Sequence, residues 1–530
     1  MRNVFVLLFF FAFSFSHSSN SYEIIVYGAT PSGIAAAVAA AREGRKVIII
    51  EPLSIVGGMM SGGLSFSDSN QMARESLGGI FEEIHLRIEE IYRHKGVDLP
   101  YDVSVKDNRK WMYEPHVAER VFLDMLREAG VKVILNETIK SALKKGTDIT
   151  GIKTYSGNVY YGKVFVDASY EGDLLAAAGV KYRVGREGRD EFNESFAGAI
   201  YPKEKVEIIA HSKSGKPLPL INSKKLSPEG KGDHRIMTYS FRLCLSSDPD
   251  NQVPFTKPEN YDPALFEIFR KFYQAYPETR VPIDFYPLPS NKFDGNNGIG
   301  LQLSSGLVGE NYKYPEAKPK KRQEIWDNYK NFTQSLLYFL QNDPGMPEKI
   351  REFMSGLGYA KDEFANSDHF PPVLYVREGR RMVGEYFLTQ DDILENVKKK
   401  DPIGIGSFPI DSHDCQRIAT EDGGFINEGT IFPVHVEGRY IGQPHQIPYR
   451  AIIPKVKECS NLLVPVCLSS SHVAFSSIRV EPTWIVLGQS AGIAAAMAIE
   501  EGSTVQDLNY GKLAKRLESK KQVLQLPKLP

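Results

Sequence analysis

Residues 22–58 read YEIIVYGATPSGIAAAVAAAREGRKVIIIEPLSIVGG, and this stretch decides the fold. Ile24, Ile25 and Val26 form an apolar run with no polar alternate, the pattern of a strand buried on both faces of a parallel sheet. Gly28 ends that strand and Gly33 opens a helix. A helix N-terminus offers unpaired N–H groups and a partial positive charge, which suit a pyrophosphate. Ala35, Ala36, Ala37, Ala39, Ala40 and Ala41 keep this helix thin, so that it can lie close to the sheet and to a ligand. Val47 to Ile50 reads as a second strand, ended by Glu51. That acid stands about 20 positions beyond Gly28, where a dinucleotide fold places the carboxylate for a ribose 2′-hydroxyl. Thr30 occupies a position where the usual G-x-G-x-x-G carries glycine, so the motif alone is weak. The whole unit of strand, turn, helix, strand and acid carries the reading; an ordinary βαβ unit with a small-residue turn is the plain alternative. A free 2′-hydroxyl on Glu51 points to FAD or NAD rather than NADP.

The chain has 530 residues, room for two or three domains. A formal net charge of −1 gives no support for nucleic acid or an anionic membrane as a partner. At the N-terminus, MRNVFVLLFFFAFSFSHSSNS has one basic residue, an apolar core too short to span a bilayer comfortably, and small polar residues after it. This pattern predicts a secretory signal peptide over 1–18, hence a secreted or periplasmic protein with no membrane span after cleavage. An uncleaved anchor is the alternative. Cys244, Cys415, Cys459 and Cys467 form no C-x-x-C pair, which argues against an iron–sulfur centre, structural zinc or dithiol chemistry. No metal site is expected. The absence of a G-x-S-x-G elbow leaves hydrolase chemistry unsupported.

Further along, apolar spacing predicts helices over 77–94, from Pro115 and over 323–342. A hairpin is expected about Gly157-Asn158, and a buried strand over 164–169. From about 180 to 440 the chain turns rich in Pro, Tyr and Phe, without a second dinucleotide fingerprint. Asn461 to Val466 reads as a strand, and Pro482 opens a long helix whose Gly488, Ala491, Gly492, Ala495 and Ala496 make a small face for close packing.

The chain resembles the FAD-dependent oxidoreductases with a glutathione-reductase-type nucleotide fold, and among them an exported branch. The resemblance rests on GATPSGIAAAVAAAREGRKVIIIEP, DASYEGDLLAAAGVKY, LYVREGRRMVGEYFLTQDDI, DSHDCQRIA and NLLVPVCLSSSHVAFSSIRVEPTWIVLGQSAGIAAA, spread over nearly the whole chain. It is distantly similar to the heterodisulfide reductases, but lacks that group's iron–sulfur cysteines. The resemblance implies an α/β fold: a Rossmann-like FAD-binding domain over 22–178 and 441–510, an inserted α+β substrate domain over 179–440, and a tail over 511–530. It implies that Gly28, Thr30, Pro31, Ser32 and Gly33 hold the FAD pyrophosphate and Glu51 the adenosine ribose. Gly57 and Gly58 would admit the ribityl chain and flavin, and Val133 would offer backbone contacts to adenine. Ala168, Ser169, Ser477 and Arg479 would line the cofactor. For Asp173, a helix-capping role weighs equally with a cofactor role.

A flavin enzyme must orient its substrate and move a proton. His472 is the first candidate, in a loop before a helix where the flavin is expected; a structural histidine fixing that loop is the alternative. His413 is the second. Arg377, Arg380 and Arg381 could bind an anionic or polar substrate, or pair with Glu378, Glu385 and the Asp391–Asp392 pair. Arg450 is a weaker candidate. The expected activity is oxidation of a C–H bond beside a hydroxyl or amine of a small organic molecule by hydride transfer to flavin; a carbohydrate-related polyol suits an exported enzyme with an aromatic-rich insert. Oxygen or a quinone would reoxidise the flavin. A non-catalytic dinucleotide-binding protein and an NAD-dependent dehydrogenase are the alternatives.

Overall fold

The computed structural model describes residues 21–103, 110–222, 226–395, 397–432 and 443–525. The expected leader and residue 441 lie outside them. β1 (Ile24–Tyr27) and β2 (Val47–Ile50) flank α1 (Pro31–Arg42). A short turn of helix, α2 (Gly58–Ser61), and two amphipathic helices, α3 (Ile80–His94) and α4 (Pro115–Glu128), lead to β3 (Lys132–Ile134). An antiparallel meander of β4 (Ile139–Lys145), β5 (Asp148–Thr154) and β6 (Val159–Tyr161) then precedes β7 (Val164–Asp167). The β5–β6 turn falls at the expected Gly157-Asn158.

The nucleotide unit is a five-stranded parallel sheet in the order Leu462–Leu463, β7, β1, β2, β3. All four residues of β1 are fully buried, as the unbroken apolar run requires. From β1 the chain crosses over α1 to β2 on one side, while β7 lies on the other. The carboxyl end of β1 is therefore a topological switch point, where open α/β sheets place ligands.

The Glu481–Glu501 helix covers the same sheet and packs on α1. A Cβ at Gly488 would stand 2.1 Å from the Ser32 carbonyl oxygen, and one at Gly492 would stand 2.1 Å from that of Ala36. Glycine is what permits this approach. By length and composition the helix could cross a membrane, but nearly all of it is buried inside the protein, the setting of a core helix.

The middle of the chain builds a second, antiparallel sheet in the order Gln252–Val253, Gly358–Ala360, Leu243–Ser246, Lys292–Asn297, Ile283–Leu288. Helices Glu267–Ala275, Pro319–Asn342 and Glu348–Ser355 accompany it. Phe266, Phe332 and Phe339 stack between them, with 4.7 Å between the rings of Phe266 and Phe339, which accounts for part of the aromatic enrichment. The expected tail is instead a helix, Tyr510–Ser519, whose Leu513 and Leu517 are buried. Its apolar spacing is short, and only packing against the long helix makes it visible.

Candidate functional site

A cleft of about 360 Å³ opens at the carboxyl ends of β1, β2 and β7. Gly28, Thr30, Glu51, Gly58 and Ser169 line it on the sheet side, and Tyr314 and Trp326 face them from the insert. The unexpected Thr30 fits the turn because its backbone is extended, with φ −69°, and so needs no glycine. Its hydroxyl accepts the Gly33 N–H at 3.2 Å, capping α1, and donates to the Ala168 carbonyl at 2.8 Å. Gly28 does need to be glycine: φ is +103°, and a Cβ would stand 2.8 Å from the Ala168 carbonyl carbon. Glu51 accepts from the N–H groups of Ala29 at 2.5 Å and Leu53 at 2.7 Å, and burial pushes its carboxyl up to about 8. Even protonated, a carboxyl keeps a lone pair beyond those two bonds for a hydroxyl donor.

Gly57, left-handed at φ +105°, caps α2 and donates its N–H to the Ala29 carbonyl, so the second glycine pair is folded onto the first turn. Asp167 binds the Ser169 N–H and hydroxyl and the Leu175 N–H. Asp173, also in the cleft wall, is neither a cap nor free. Arg322 at 2.6 Å and Arg380 at 2.8 Å take its carboxylate and, against burial, hold its pKa down. Val133 contributes to the β2–β3 ladder opposite Ile49 and does not line the cleft; Thr138 does, because the chain turns back only after β3 ends.

Beyond Gly58 the wall continues through Tyr170, whose hydroxyl accepts the Met59 N–H and donates to Glu481. Glu481 starts the long helix, and burial pushes its carboxyl up to about 8. Around these helix starts, Ser32 Oγ, Ser61 Oγ, Glu481 Oε2, Thr483 Oγ1 and Trp484 Nε1 are buried without a hydrogen-bond partner. Buried polar atoms are nearly always satisfied, so four orphans at two helix N-termini, with Ser61 at the end of α2, mark a place for a large polar ligand. FAD fits this set: α1 would offer N–H groups to the pyrophosphate, Glu51 an acceptor to the ribose, and the long helix its positive end to the flavin.

Past Glu481 lies a cluster that the sequence does not announce. Arg242 clamps Asp294 at 2.8 and 2.6 Å, and Asp294 also accepts the N–H groups of Ser65 and Phe66. Arg377 sits over the ring of Tyr375 at 4.4 Å. Arg479 donates to the Asp411 carbonyl, lies 3.4 Å from the Asp411 carboxylate, and reaches the Tyr375 hydroxyl at 3.5 Å. Asp68 stands among them with Oδ2 buried and unpartnered. Burial raises its pKa more than Arg242 and Arg479 lower it, leaving it at about 6. His413 lies 3.7 Å from Asp411; burial and the three guanidiniums keep it neutral, well below the usual histidine range.

Several expected residues are engaged elsewhere. His472 heads the His472–Ile478 helix, with Nδ1 2.9 Å from Glu378 and Nε2 3.3 Å from Ser412. It is buried and serves the structural alternative. Glu378 and Glu187 also take Arg381. Ser477 donates to the Phe408 carbonyl. Arg450 is paired with Asp401 at 3.0 Å, apart from both cleft and cluster. All four cysteines are free and buried. Glu114, His116, Asp362 and Glu363 have metal-like spacing, but the Lys292 ammonium already lies within 2.8 Å of three of their carboxylates.

Among solved structures, the L-proline dehydrogenase from P. horikoshii is 10% identical and aligns over 96% of this chain and 100% of its own, with a TM-score of 0.34. THI4 of Thermovibrio ammonificans is 19% identical over 32% of this chain and 67% of its own, with a TM-score of 0.24. The thioredoxin reductase from Streptococcus pyogenes MGAS5005 is 20% identical over 33% of this chain and 41% of its own, with a TM-score of 0.19. No curated protein matches the chain. The family model described as FAD dependent oxidoreductase matches residues 23–517, nearly the whole length, and the chain belongs to that family.

Proposed function

We propose that this FAD-dependent oxidoreductase oxidises a C–H bond beside a hydroxyl or amine of a small organic molecule, and that the reaction takes place over the Asp68–Arg377–Arg479 cluster. The observation that carries the reading is Asp68. It has a buried, unpartnered oxygen and a carboxyl pushed up to about 6, and it lies near enough to the cleft wall for its charge to be felt by Glu481, the partner of Tyr170. A general base works best with a pKa near the operating pH. Bound flavin supplies the two-electron acceptor. Asp68 takes the proton from the substrate hydroxyl or ammonium group. Neutral His413 and Tyr375 orient the polar substituent, and the arginines fix the charge around it. His472, held by Glu378, keeps the loop in place.

The test is anaerobic mixing of the purified yellow protein with panels of small alcohols, amines, hydroxy acids, amino acids and sugars. Bleaching of the absorption near roughly 450 nm by one panel is expected, and Asp68→Asn should slow it about 10²–10⁴-fold with the resting spectrum unchanged. Rapid bleaching by NADH, with none by any panel, would overturn the reading. An exported location, a carbohydrate-related substrate such as a sugar acid, and reoxidation by oxygen or a quinone belong to the same proposal. The basic residue and short apolar core at the N-terminus support export. Recovery of a chain starting near Ser18 or Ser19 from outside the cytoplasm would test it.

A further inference from the structure

Arg377, Arg380 and Arg381 come from one segment and meet different fates. Arg380 has Asp173, and Arg381 has Glu187 and Glu378. Arg377 is just as buried, at 1% exposed, but its three hydrogen bonds go to neutral acceptors: the Thr238 carbonyl, Ser240 Oγ and Asn297 Oδ1. Its Nε makes no hydrogen bond, nor does that of Arg380. Among the described residues no carboxylate lies within ion-pair distance of it; its charged neighbours are Arg479, Arg242 and, farther than an ion pair, the Asp411 carboxylate. Burial above all, with the two cations, outweighs Tyr375 and Asp411 and pushes even this guanidinium down to about 10. Burying a charge without an opposite partner is costly. Here the cost is borne beside carboxylates that the same segment assigns to its other two arginines.

The neighbours divide the work. Arg242 is saturated by Asp294 and serves to hold the Ser65–Phe66 backbone. Arg479 is held by the Asp411 carbonyl and the Tyr375 hydroxyl, with the Asp411 carboxylate at 3.4 Å; Asp411 is itself a quarter exposed, so solvent reaches the cluster from that side. His413, also partly exposed, stands at the same opening.

We propose that Arg377, together with Arg479, binds the carboxylate of a small organic acid, which makes the substrate class a hydroxy or amino acid. This rests on the oxidoreductase reading above and names the substrate class of that same site. A guanidinium's charge and N–H donors suit a carboxylate, and Arg377 Nε is a donor left without a protein partner. Asp68, within reach of the charges of Arg242 and Arg479, would then serve the substituent next to the bound carboxylate.

The experiment titrates the holoprotein with glycolate and L-lactate. Their uncharged counterparts ethylene glycol and 1,2-propanediol, and chloride at matched ionic strength, serve as comparisons. The readouts are the visible flavin spectrum and the thermal unfolding midpoint. The two acids should perturb the spectrum and raise the midpoint, and the diols and chloride should not. Arg377→Met should weaken the acids roughly a hundredfold, Arg377→Lys less, and Arg450→Met not at all. Equal effects of acids, diols and chloride would overturn the proposal without any variant. So would a folded Arg377→Met protein that binds the acids as well as the parent. A colourless protein would instead sink the oxidoreductase reading, while the unfolding midpoint would still report whether the acids bind.

Discussion

At Thr30 one hydroxyl does what a glycine motif leaves undone: it caps α1 and ties the β1 turn to the chain after β7. Thr30→Ala removes both bonds and should cost about 1–2 kcal/mol of stability and weaken FAD binding, whereas Thr30→Ser should retain both. Urea unfolding and flavin titration of the two variants would decide it; equal behaviour of Ala and Ser would refute the role. Glu481 yields a pH prediction. Its folded pKa of about 8 lies above the ordinary 4.5, so the native state holds a proton that the unfolded chain releases. This contribution is full below the ordinary value and is lost as pH rises through about 8. Glu481→Gln, permanently neutral, should match the parent near about pH 5 and exceed it near about pH 9 by roughly 2 kcal/mol or more in the flavin-free protein. A constant difference across that range would rule the protonation out. His472 shows what one sequence cannot say about a residue: its type and loop suit a catalyst, but only the fold brings Glu378 and Ser412 to its two ring nitrogens.

The contact of α1 with the Glu481–Glu501 helix is the element on which the cleft depends, since it holds the N-termini of both helices beside it. The sequence shows both partners, as alanines on one and glycines at a four-residue spacing on the other. Their meeting is tight enough that even a methyl group has no room at Gly488. Gly488→Ala should therefore cost about 1–3 kcal/mol and Gly488→Val more, with flavin affinity falling alongside, because Ser32 and Thr30 move with α1. Unchanged flavin binding in a destabilised Gly488→Ala protein would separate the packing from the site. The nucleotide unit is legible because its signals are local: a four-residue apolar run, a turn, a helix and an acid within one short stretch. The arginine–aspartate cluster is not legible in that way. Asp68, Arg242, Arg377, Asp411 and Arg479 come from five separate segments, and no spacing along the chain links them. Arg377 is visible in the sequence only as a cation among cations, and which of the three neighbouring arginines lacks a carboxylate depends on contacts with Asp173, Glu187 and Ser240 that the fold creates.

At the scale of the molecule, the last residues work as a strap across the parts that sequence reading separates. Gln522 donates to the carbonyls of Ile403 and Val486, and Gln446 donates to the Leu524 carbonyl. Arg516 reaches Glu500 on the long helix and Glu43 at the end of α1. The strap thus binds the nucleotide unit to the strand Pro402–Gly406, which pairs with His445–Pro448 as the chain returns from the insert. Val505, Leu513, Leu517 and Leu524 are buried along it. At about 2 kcal/mol for each buried side chain, ending the chain at Gly502 removes about 8 kcal/mol, comparable with the whole stability of a typical domain. The shortened chain should yield no soluble flavoprotein, and in the full chain a cut within 503–509 should be slow until the cleft is emptied of FAD. Limited proteolysis with and without added FAD checks this directly. Protection that ignores FAD would mean that the strap and the cleft are independent, and a soluble yellow protein ending at Gly502 would mean that the strap is dispensable.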